Sequence, residues 1–151
     1  MAITSAVCSS FKSELLSGKH DFDASGGSTF KIALFTSSAS LGAATTDYAT
    51  TNEIANTSGS AYTAGGKALT NTGVGLTSTT AFTDFSDISW TSASFTANGC
   101  LIYNTQANGG SGTTEAVCSI AFGGDKTVSS GTFTIQFPAN DSSSAILRLT
   151  A

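Results

Sequence analysis

Residues 132–137 read TFTIQF and are closed by Pro138. Phe133, Ile135 and Phe137 fall on one side of a period of two, with Thr132, Thr134 and Gln136 on the other. That is the alternation of a half-buried β-strand. Proline cannot donate within a central strand, so the element ends there. The same signal appears upstream in TFKIALFT (29–36), where Phe30, Ile32 and Leu34 share one face and Ala33 and Phe35 the other. Further strands are expected at 66–76, 80–85, 88–94, 99–104, 115–122 and 145–149. Gly109-Gly110, Gly123-Gly124-Asp125 and Ser130-Gly131 read as the turns between them. Seven or eight short strands with turn signals point to a mainly β chain, an antiparallel, jelly-roll-like β-sandwich.

Composition agrees. The 151 residues fit a single domain, 1–151, and include 24 Ser, 24 Thr, 16 Gly and 10 Phe, with only 11% charged residues. Helix-favouring charged side chains are scarce, and β-branched and aromatic residues are plentiful. A hydrophobic share of 40% and a mean hydropathy of +0.13 separate the chain from a disordered Ser/Thr/Gly linker.

Six basic against ten acidic residues give a net charge of −4. Scattered cations in that number cannot displace counterions from phosphate, so nucleic acid is not an expected partner. No apolar run approaches the ~20 residues of a membrane-spanning helix, so no membrane partner is expected either.

The best helix candidate is 5–17, SAVCSSFKSELLS. Val7, Phe11 and Leu15 recur every four residues, flanked by Cys8 and Leu16, with Thr4 or Ser5 as cap and Gly18 at the C′ position. Such an arm either packs on its own sheet or docks on a neighbouring subunit. The 37–65 stretch is a long polar excursion carrying Tyr48 and Tyr62, with room for a short helix near 48–54. Excursions of this length are usually functional or folded back on a partner.

Chemical motifs are sparse. His20, in KHDFD, is the chain's one histidine, and Asp21 and Asp23 beside it read as a solvated turn. Asp84 and Asp87, in FTDFSDISW, could pair as glycosidase carboxylates but serve a strand turn equally well. Trp90 is a ligand platform or a core residue. No catalytic, metal or cofactor assignment follows, and the chain is not expected to be an enzyme.

The start of the chain, with Lys12 and Glu14 interrupting any apolar run, does not read as a secretory signal. The three cysteines have no close pair and suit a reduced compartment. Cys100 and Cys118 read as small buried core residues, although neighbouring strands could bring them into disulfide range.

Five segments carry a family resemblance: SFKSELLSGKHDF (10–22), FKIALFTSSASL (30–41), YTAGGKAL (62–69), Trp90 to Asn104 with ANGCLIYN, and FGGDKTVSSGTFTIQFP (122–138). In their order they resemble a family of small virion proteins encoded among the structural genes of tailed bacteriophages, especially phages of aquatic bacteria. The resemblance covers nearly the whole chain. It implies a virion component made in the host cytoplasm, and among such components a decoration (cement) protein. Such a protein clamps the major capsid protein on the outer capsid surface, commonly as a homotrimer. On that reading Phe11 and Leu15 of the arm and Tyr48 and Tyr62 of the excursion are the expected interface anchors, with burial in the core as the alternative. A carbohydrate-binding or adhesin module of a fibre, with exposed aromatics near Trp90, is the competing expectation. A tail or baseplate structural protein is another.

Overall fold

The computed structural model describes residues 2–106 and 112–151, so the Gly109-Gly110 turn lies outside the described residues. The described elements are β1 (Ala6–Val7), α1 (Ser9–Leu16), β2 (Phe30–Phe35), β3 (Lys67–Ala68), β4 (Asn71–Thr77), β5 (Thr80–Phe85), β6 (Ile88–Asn104), β7 (Ala116–Ile135) and β8 (Leu147–Leu149). They form two antiparallel sheets, β1-β7-β6-β2-β3 and β4-β5-β8. With one short N-terminal helix, this is the mainly β, sandwich-type architecture expected from the alternation.

Four of the expected strands fuse into two long ones. β6 runs for 17 residues and β7 for 20, paired along their length. The glycines read as turns instead bulge a continuous ladder. Between the Gly99–Ala121 and Ala97–Lys126 pairs, β7 sets Phe122 to Asp125 opposite the single Asn98, with Gly123 and Gly124 at φ 73° and 133°. Glycine reaches positive φ without a Cβ penalty, so the chain bends there without reversing. Ser92 and Ser130 mark two further irregularities at φ 50° and 48°.

The helix is shorter than its apolar stripe. Ala6 and Val7 pair with Ser119 and Cys118 on β7, so the first residues of the candidate are extended and α1 begins only at Ser9. Cys8 holds the N-cap position without a side-chain bond, in place of Thr4 or Ser5. The C-terminal stop forms as expected: Gly18 has φ 74°, its N–H bonds Leu15 O, and Lys19 N–H bonds Glu14 O. Those two bonds are a Schellman closure.

Phenylalanines join the layers. Phe22 stacks on Phe30 of β2 at 4.5 Å, Phe30 meets Phe85 of β5 edge-on at 5.6 Å, and Phe11 of α1 meets Phe22 at 6.0 Å. Burying one such side chain contributes roughly 1.5–3 kcal/mol, so this cluster anchors helix, loop and both sheets together.

The 37–65 excursion lies along the C-terminal part of β2, on the edge that β3 pairs only at Lys31 and Ile32. Ile54 N–H bonds Leu34 O, Thr36 N–H bonds Asn52 O, and Leu34 N–H bonds the Tyr62 hydroxyl at 2.9 Å. An uncovered edge would leave these groups unsatisfied or open to another chain. The short helix expected near 48–54 does not form. That segment makes an isolated bridge from Glu53 to Phe35 instead, because its backbone bonds are used on the edge.

Candidate interaction surface

The strand register of the small sheet builds an apolar face. Val74 pairs with Thr83 and Thr83 with Leu147, while Leu76 pairs with Ala81 and Ala81 with Leu149. Directly paired residues share a face, so these six side chains line one side of the sheet. Thr83 is buried, but Val74, Leu76 and Leu149 are 59%, 72% and 62% exposed. Across from them α1 contributes Leu16, which is 91% exposed, and half-buried Leu15. Between helix and sheet runs a groove of about 530 Å³ floored by Phe11 and Phe22. Contiguous exposed apolar surface makes this face the candidate interaction surface.

Of the expected anchors, the structure brings Phe11 and Leu15 to this groove but makes Phe11 part of its floor. Phe11 is 3% exposed and packs on His20 at 4.9 Å, so it is a core residue and not a surface anchor. Its place falls to Leu16, the stripe residue that turns outward once the helix starts at Ser9.

Tyr62 is likewise corrected to the core, at 1% exposure. The cause is Glu53. One carboxylate oxygen accepts from the Tyr62 hydroxyl at 2.6 Å and from Gly65 N–H at 2.7 Å, and the other accepts from the Tyr48 hydroxyl at 2.7 Å. Half-buried Tyr48 stacks on Tyr103 at 4.3 Å, and the Tyr103 hydroxyl donates to Gly65 O. Burial first, and then the Glu53 bond and charge, hold the Tyr48 and Tyr62 hydroxyls well above the usual tyrosine range. Burial and the Glu53 charge push Tyr103 up to about 12. The knot pins the excursion to the sheet, which makes these tyrosines structural.

The other chemical candidates are also engaged in holding the fold. The imidazole of His20 contacts Glu14 at 2.9 Å through Nε2, and its Nδ1 meets the Asn104 amide at 3.0 Å. That bridge joins the end of α1 to β6, so the solvated-turn reading fails for His20, which is 6% exposed. Asp84 accepts from Phe85 and Ile146 N–H, and Asp87 accepts from Phe137 N–H. Burial raises the Asp84 carboxyl, yet both carboxylates are committed to backbone. Trp90 is 4% exposed and meets Phe95 edge-on at 6.3 Å, so no exposed platform exists at that position. Cys8, Cys100 and Cys118 are free, buried thiols, so Cys100 and Cys118 do not pair. Burial, with a charge contribution from Glu14, pushes Cys8 up to about 11.

Among the described residues no group of three or more His, Cys, Asp and Glu is placed to hold a metal ion. Among them, too, no helix is long and apolar enough to cross a membrane. Sequence reasoning missed Val74, Leu76 and Leu149 as surface residues. Their period-two spacing was legible, but which face meets solvent depends on what covers it. No family model, curated protein or solved structure matches the chain.

Proposed function

We propose that this chain is a structural protein of a tailed-phage virion, a decoration protein that clamps neighbouring major capsid subunits from the outer surface of the head. The family resemblance of its sequence motivates the particle. The observation that carries a contact role is the exposed apolar face of Leu16, Val74, Leu76 and Leu149 on an otherwise closed β domain. Covering the exposed parts of those four side chains, together about three whole side chains, would contribute roughly 4–8 kcal/mol, at about 1.5–3 kcal/mol per fully buried side chain. Association itself costs about 4–15 kcal/mol, so the four rim residues alone give weak binding. The groove between α1 and the small sheet must be filled as well, and a standard interface of about 800 Å² per partner would do so. A clamp that binds only the expanded lattice stabilises it by mass action. A homotrimer, the assembly common among such clamps, would present three copies of the face and add avidity.

The test is co-sedimentation of purified chain with undecorated heads, followed by electron cryo-microscopy of the particles. Density at seams or threefold positions of the shell, with the α1 face against capsid protein, is the expected result. Density confined to the tail or to fibres refutes the decoration reading.

A further inference from the structure

We propose that the groove between α1 and the β4-β5-β8 sheet receives an amphipathic segment of a partner protein, apolar on one side and carrying acidic residues on its flanks. The inference rests on reading this face as a contact surface, and goes beyond it in naming the chemistry of what binds.

Three observations lead there. The groove, at about 530 Å³, is lined almost wholly by apolar side chains from one helix and all three strands of the small sheet. A helix laid on such a surface anchors side chains at i, i+3, i+4 and i+7. Second, the apolar surface does not stop at the groove: Leu76, on the same face of β4, lies outside it at 72% exposure, and Leu16 at its edge is 91% exposed. A small amphiphile held in the groove would leave these residues in water, whereas a polypeptide segment continues over them.

Third, the charge is one-sided. The chain holds ten acidic and six basic residues, yet the charged side chain that faces the groove is that of Lys12, exposed on α1, with no carboxylate among the lining residues. Arg148 pairs with Phe82, so its side chain leaves β8 on the opposite face, where it donates to Ser143 O at 2.7 Å. A second copy docking through the same face about a two-fold axis would bring Lys12 toward its own duplicate. A partner with carboxylates beside its apolar stripe meets it with opposite charge, which sets specificity and register.

The experiment uses the full chain and two synthetic peptides of about 15 residues, each with leucine at i, i+3, i+4 and i+7, one flanked by glutamate and one by lysine. Fluorescence anisotropy at fixed, low salt should show the glutamate peptide binding about tenfold tighter or more than the lysine peptide. Lys12→Glu should shrink that preference. Leu16→Ser, at a fully solvated position, should weaken both peptides about tenfold with an unchanged circular dichroism spectrum. Equal affinity for the two peptides, or no binding of either, overturns the proposal. Sodium dodecanoate saturating the groove while neither peptide binds overturns it in favour of a small amphiphile. A concentration-dependent dimer in sedimentation, lost in Leu16→Ser, overturns it in favour of a second copy. Peptide binding without particle binding would leave this inference standing and remove the decoration reading alone.

Discussion

All three tyrosines of the chain, Tyr48, Tyr62 and Tyr103, sit in the Glu53 knot, so tyrosinate absorbance reports on that knot and nothing else. Each hydroxyl is held above its ordinary value of 10.0, by burial first and by Glu53 after it. The folded chain therefore keeps protons that the unfolded chain releases as pH rises past that value. Where the native state binds more protons, stability falls with rising pH. The contribution is complete below pH 10 and is lost above it. For Tyr62 and Tyr103 the loss by about pH 11 is roughly 1.4 kcal/mol each, and Tyr48, partly open to water, adds a smaller share. Roughly 3 kcal/mol is a large part of the 5–15 kcal/mol that holds an ordinary domain. The three buried thiols, also raised by burial, steepen the decline without changing its sign. The assay is a paired titration from neutral to strongly alkaline pH, following tyrosinate absorbance and circular dichroism together. Tyrosinate should stay absent through the ordinary tyrosine range and then appear as the fold is lost. Smooth ionisation of all three tyrosines near pH 10, in a chain that keeps its native spectrum, would refute the knot.

Three further outcomes follow from the same contacts. Glu53→Ala orphans the Tyr62 hydroxyl and Gly65 N–H and should cost roughly 2–6 kcal/mol in urea unfolding; Glu53→Gln, which keeps an acceptor, should cost about 1–2 kcal/mol, and equal losses would argue against the network. Gly66→Ala places a Cβ against the Ile32 carbonyl at φ 76° and should cost about 3–5 kcal/mol. Gly26→Ala, also at positive φ but facing open space, should cost only about 1–2 kcal/mol, and similar thermal shifts for the two would contradict the close approach. Cys8, Cys100 and Cys118 should resist a disulfide-exchange reagent until the chain unfolds, so rapid labelling of any one under native conditions would refute its burial.

The fold class was legible because a β-strand writes its exposure pattern directly into sequence at a period of two. TFTIQF, FKIALF and the Thr80–Phe85 run needed no partner to be recognised, and Gly18 announced the end of α1 through the one backbone conformation that favours glycine. The bounds of the longer elements were not legible. Gly123-Gly124 and Ser130-Gly131 supply positive φ equally to a reversing turn and to a bulge, and only the partner strand β6, running past them in register, decides between the two.

Two of the expected interface anchors, Phe11 and Tyr62, are core residues for the same reason. An aromatic residue in a polar excursion looks the same whether it meets solvent or the protein's own sheet. Tyr62 turned inward because Glu53 and the Leu34 N–H wait there, contacts made across a chain separation that no local pattern encodes. Leu16, Val74, Leu76 and Leu149 turned outward because the helix starts four residues later than its stripe suggests and, among the described residues, no other element covers the end of the small sheet. Periodicity determined which side chains share a face. Which of those faces is buried was decided by the packing of distant segments, since burial is a property of neighbours in space.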